Sequence, residues 1–127
     1  MQLKSVLIID DDEDIRDTIS QALELEGYTV HSAIHGQDGL KVLESLTAAE
    51  YPGMIILDLM MPVMDGSQFL EFVHTNKKDS FAKIPIILAS AKGNHGDHQH
   101  AKLASEVLKK PLDLDELYAV AKKYCAL

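Results

Sequence analysis

The stretch Val6-Leu7-Ile8-Ile9-Asp10-Asp11-Asp12 sets four consecutive apolar residues directly against three acids. Continuous rather than alternating apolarity suits a strand buried on both faces, as in a parallel sheet. Three more short runs read the same way: Met54-Ile55-Ile56-Leu57, Ile86-Ile87-Leu88-Ala89 and Glu106-Val107-Leu108. A fifth candidate, Tyr28-Thr29-Val30-His31-Ser32-Ala33, is more polar and suits an edge.

Helical spacing fills the intervals. Ile15, Ile19, Ala22 and Leu23 mark a first helix, with Gly27 as its stop. A second runs from about Gln37 to Thr47 with Leu40, Leu43 and Leu46 inward, and a third carries Phe69, Leu70, Phe72 and Val73. The last begins near Asp113, a good N-cap, with Leu114, Leu117, Ala121 and Tyr124 on one stripe. Strands alternating with helices specify a doubly wound α/β sheet with right-handed crossovers. In such a sheet the working residues belong at the C-terminal ends of the strands.

The bulk numbers narrow the function. A chain of 127 residues, 46% of them apolar, suits one domain with one sizeable core. Twelve Lys and Arg against 20 Asp and Glu give a formal charge of −8, which argues against direct nucleic-acid binding. The lone cysteine, Cys125, suits a reducing compartment. The N-terminal apolar run is too short for a signal peptide or a membrane span, so a cytoplasmic protein without membrane insertion is expected.

Asp10 and Asp11 close the first strand and Asp58 the third, so the fold is expected to gather three carboxylates in one cleft. Carboxylates about 4–5 Å apart repel by roughly 3–4 kcal/mol per pair at an effective dielectric near 20. A bound cation relieves this, and oxygen-only ligands with open positions favour Mg²⁺. Asp12, Glu13 and Asp14 have the plainer task of capping the first helix. Ser90 follows the fourth strand and Lys110 the fifth, around the same cleft. A hydroxyl can donate to a phosphate oxygen and an ammonium can neutralise it. Acids for a metal, one acid as nucleophile, a hydroxyl and a lysine make a phosphoryl-transfer set.

With these residues in hand, the sequence resembles the receiver domains of two-component signalling, in their stand-alone, chemotaxis-regulator-like form. The matching blocks are Leu7-Ile8-Ile9-Asp10-Asp11 followed by Arg16, then Ile55-Ile56-Leu57-Asp58-Leu59-Met60-Met61-Pro62-Val63-Met64-Asp65-Gly66. Ile84-Pro85-Ile86-Ile87-Leu88-Ala89-Ser90-Ala91 and Lys109-Lys110-Pro111 complete them. The resemblance implies a flavodoxin-like, five-stranded parallel sheet of order 2-1-3-4-5, helices on both faces, in a single domain over 1–127.

It further implies Asp58 as phosphoacceptor, and Asp10, Asp11, Asp58 and the Met60 backbone carbonyl as Mg²⁺ ligands. Ser90 takes the switch-hydroxyl position, and Lys110 the phosphate-binding position with a cis bond to Pro111. The implied donor is a phosphohistidine on a histidine kinase or histidine phosphotransfer protein, and the output is altered affinity for a downstream protein target. Chemistry is then self-phosphorylation and self-dephosphorylation rather than turnover of a substrate.

Two departures bear on output. Val107 stands where many members carry a Tyr or Phe that swings inward on phosphorylation. The segment between Ser90 and Lys110 is about two residues short and holds Gly93 and Gly96, which weaken a helix there. Its His95, Asp97, His98 and His100 read as a solvated loop and helix start rather than a metal site. Two rival readings are a receiver-like scaffold that binds its partner regardless of phosphorylation, and a small haloacid-dehalogenase-type phosphohydrolase. The second leaves Asp58 and Lys110 unexplained.

Overall fold

A computed structural model describes residues 2–58, 68–69, 83–90, 104–110 and 112–125, with only the backbone of Gln2, Leu3, Ala48 and Ser90. Five parallel strands, β1 (Gln2–Ile9), β2 (Thr29–Ala33), β3 (Pro52–Asp58), β4 (Ile86–Ser90) and β5 (Glu106–Lys109), lie in the order β2-β1-β3-β4-β5. This is the expected doubly wound topology, with the polar β2 at an edge. No helix among the described residues is long and apolar enough to cross a membrane.

The apolar runs of β1, β3 and β4 are buried on both faces, as their composition requires, whereas the run in β5, expected to match them, lies at the other edge of the sheet and leaves Val107 46% exposed. Leu7 and Ile9 pack with Leu40, Leu43, Ile55, Leu57 and Phe69 on one side of the sheet. Val6 and Ile8 pack with Ile19, Leu23, Met54, Ile56, Leu117 and Val120 on the other. Successive strand residues thus feed two separate cores, the consequence of a two-residue side-chain period.

Helix α1 (Glu13–Leu25) starts where Asp12 accepts hydrogen bonds from the Asp14 and Ile15 amides. Glu13 and Asp14 complement the dipole of its first turn. It ends in a Schellman turn: Tyr28 N–H donates to Leu23 O and Gly27 N–H to Glu24 O, both at 3.0 Å. Gly27 sits there at φ 91°, a conformation other residues adopt at a cost.

Helix α2 (Gly36–Ser45) is shorter than expected, because Leu46 turns extended at its end. Leu46 is half-buried as a result, whereas Leu40 and Leu43 face the core as expected. Its cap is reciprocal. His35 Nδ1 accepts from Asp38 N–H, and Asp38 Oδ2 accepts from Ile34 N–H, each at 3.1 Å.

The last described helix, α3 (Leu114–Tyr124), is capped by Asp113 as expected. Its inner stripe is Leu117, Val120 and Ala121, while Leu114, assigned inward by spacing, is 41% exposed. Leu114 is the first helical residue, one turn before the buried Leu117. Gln68 and Phe69 are helical, and Phe69 is fully buried. The remainder of the expected third helix lies outside the described residues.

Candidate functional site

The register Ile9↔Leu57 aligns the ends of β1 and β3, so Asp10 and Asp58 emerge side by side. Asp11 follows one residue later on the rim. One carboxylate oxygen from each of Asp10, Asp11 and Asp58 lies within 4.8 Å of the other two. Asp10 and Asp58 are buried and Asp11 is exposed, so the cluster opens to solvent on one side.

Each polar group of Asp10 is held. Its N–H donates to Ala33 O at 3.1 Å, tying it to β2. Its carbonyl accepts from Arg16 Nη1 at 2.6 Å. Oδ1 accepts from Asp12 N–H at 2.9 Å, and Oδ2 from Lys110 Nζ at 3.0 Å. Lys110 also lies 3.3 Å from Asp58 Oδ1, bridging two of the acids. Burial pulls this ammonium toward neutrality, but the Asp10 hydrogen bond and the charges of Asp10 and Asp58 outweigh it and leave its pKa raised.

One ammonium against three carboxylates leaves a strong net negative field in a partly desolvated pocket. The donor set is oxygen-only, with two fixed inner carboxylates and one at the open rim. It fits a magnesium ion, which keeps several waters and accepts phosphate oxygens.

The expected site residues Asp10, Asp11, Asp58 and Lys110 therefore meet. Ser90 closes β4 opposite Lys109, one residue before Lys110. Its side chain lies outside the described set, as do Met60, the Lys110–Pro111 peptide and the 92–100 segment. Val107 pairs with Leu88 and is 46% exposed, a surface position on β5. Sequence reasoning gave no role to Arg16 beyond its place in the motif. Its position six residues after Asp10, on a helix that begins at Glu13, was the available signal.

Comparison with known proteins identifies the family and the fold. Residues 6–122 match the response regulator receiver domain family. The DNA-binding dual master transcriptional regulator RpaA of Synechocystis sp. is 35% identical over 116 residues, which cover 90% of this chain and 46% of RpaA. NtrC of Proteus hauseri is 31% identical over 128 residues, 97% of this chain but 25% of NtrC. The chain thus spans less than half the length of these two relatives.

Among solved structures, chemotaxis protein CheY4 of Vibrio cholerae superposes with a TM-score of 0.82 at 27% identity, covering 94% of this chain and 97% of CheY4. TrrA of Thermotoga maritima, solved in complex with Mg(2+)-BeF, superposes at 0.78 and 29% identity, covering 94% and 97%. The fold, the match over nearly all of the sequence and the acidic pocket agree: the chain belongs to the response regulator receiver domains, the phosphoacceptor signalling domains of two-component systems.

Proposed function

We propose that Asp58 is the phosphoacceptor of this receiver. Asp10, Asp11, Asp58 and the Met60 carbonyl would hold Mg²⁺, and Ser90 and Lys110 would hold the phosphoryl group. The observation that carries the reading is the meeting of three carboxylates within 4.8 Å with the Lys110 ammonium against two of them.

A magnesium ion, when bound, supplies charge neutralisation for the phosphoryl oxygens. The chain's own residues do the rest. A carboxylate oxygen of Asp58 forms the new bond to phosphorus while the P–N bond of the donor phosphohistidine breaks, and the electron pair returns to the imidazole. Lys110 moves from neutralising carboxylates to pairing with the phosphoryl oxygens. The Ser90 hydroxyl donates to one of them, a charge-assisted bond stronger than a neutral one.

The donor class is a histidine kinase or histidine phosphotransfer protein, and the output is altered affinity for a downstream protein. The chemistry is stoichiometric, ending in hydrolysis of the acyl phosphate.

Incubation with phosphoramidate and Mg²⁺ tests the assignment. It should add one acid-stable, base-labile phosphoryl group to the wild type and none to Asp58→Asn. Labelling of that variant at the wild-type rate would place the nucleophile elsewhere.

A further inference from the structure

We infer that Arg16 is a positioning residue of the acidic pocket: through Asp10 it fixes the Asp10–Asp11 peptide so that both carboxylates turn toward Asp58. The inference rests on the proposed role of this pocket in holding Mg²⁺.

Arg16 occupies the fourth position of α1, just after Glu13 and Asp14. A helix N-terminus carries partial positive charge, so a cation there is placed against the dipole. The side chain turns back six residues instead, and its Nη1 donates to the Asp10 carbonyl at 2.6 Å in a partly buried contact. That carbonyl shares one rigid plane with the Asp11 amide. Holding the oxygen therefore sets the direction in which the chain enters Asp11.

Asp11 needs such support. It is exposed and lies between the end of β1 and the cap of α1, outside any regular element. The inner acid is anchored by Ala33, Asp12 and Lys110 as well. Arg16 is the side chain that ties the connecting peptide itself to the body of α1.

Charge and positioning predict opposite signs. As a nearby cation, Arg16 repels Mg²⁺, so an effect of charge alone makes a neutral variant bind the ion more tightly. As a positioning residue it pre-organises the ligands, so the same variant binds more weakly. Residues that orient metal ligands commonly contribute about ten-fold or more in affinity.

Titration with Mg²⁺ alone, in the full chain, is the test. Arg16→Met should raise the Mg²⁺ dissociation constant by roughly ten-fold, while its circular dichroism stays that of the wild type. Arg16→Gln, a milder truncation, should shift it in the same direction by less and serves if the first variant folds poorly. Cys125→Ala, which loosens the core beside Tyr28 and Lys4 at the opposite end of β1 instead, controls for general destabilisation and should leave the constant within about two-fold. Unchanged or tighter binding in both folded Arg16 variants overturns the positioning role. If the wild type itself binds no Mg²⁺, the pocket reading falls first and this inference with it.

Discussion

Lys110 and Asp10, one hundred residues apart in the chain, meet at 3.0 Å across the C-terminal rim of the sheet. Because Asp58 lies 3.3 Å from the same ammonium, one cation links the ends of β1, β3 and β5. The lysine is thereby set against the very carboxylates that would bind a metal. Replacing it by methionine should move two readouts in opposite directions. Mg²⁺ should bind a few-fold more tightly, since a like charge is gone. Phosphorylation should slow by about ten-fold or more, since the incoming phosphoryl group loses its counter-ion. Parallel changes in both would show that Lys110 acts on the fold rather than on the site.

Asp11 is the exposed member of the acidic cluster and the one least bound into the fold. Asp11→Ala should weaken Mg²⁺ binding and slow phosphorylation, because a phosphoryl dianion approaches the remaining carboxylates without full neutralisation. The same change removes like-charge repulsion, so in metal-free buffer the melting temperature should hold or rise. A magnesium affinity equal to wild type would remove Asp11 from the ligand set.

The sheet and the meeting of the four candidate residues Asp10, Asp11, Asp58 and Lys110 were legible because each rests on a short-range rule. Unbroken apolar runs gave β1, β3 and β4 as strands buried on both faces, and the position of Asp10, Asp58 and Lys110 at the ends of strands placed them on one rim. Asp12 and Asp113 announced their helices by capping chemistry. Helix faces were harder. Leu46 and Leu114 have the right spacing, yet each sits at a helix end, Leu46 where the backbone turns extended and Leu114 at the exposed first position. Arg16 was harder for another reason. Its use is a side-chain bond to a backbone carbonyl, and its place six residues after Asp10 puts it within reach of that turn without naming which carbonyl it holds.

Gly39 shows how closely α2 lies on β1. A Cβ built there runs into Ile9 Cδ1, with Ile9 Cγ1 at 3.0 Å and Phe69 Cε2 at 3.5 Å. Ile9 and Phe69 are fully buried and have little room to give. Overpacking of this kind costs about 1–3 kcal/mol, against a helix-propensity gain of up to about 1 kcal/mol for alanine. Gly39→Ala should therefore lower unfolding stability by about 1–2 kcal/mol, measured by denaturant titration. A more stable variant would mean that α2 stands farther from β1.

Cys125 gives the protein an alkaline weakness. Its thiol is fully buried beside α3, in the core that holds Tyr28, Leu117 and Ala121. Burial pushes it up to about 11, with Lys4 acting weakly the other way. In the unfolded chain a thiol loses its proton near pH 8.5. Between roughly pH 8.5 and 11 the unfolded state thus binds fewer protons than the folded one, and stability must fall as pH rises. The full loss is on the order of 3 kcal/mol, present below that window and gone above it. Tyr28, also raised by burial and then by Cys125 and Glu26, adds a further decline at higher pH. Cys125→Ala should be less stable than wild type at pH 7 by about 1–2 kcal/mol, for the space it opens. Its stability should nevertheless stay flatter from pH 8.5 to 10. Denaturant titrations at stepped pH decide the matter: if the two proteins lose stability in parallel over that range, the buried thiol is not the group responsible.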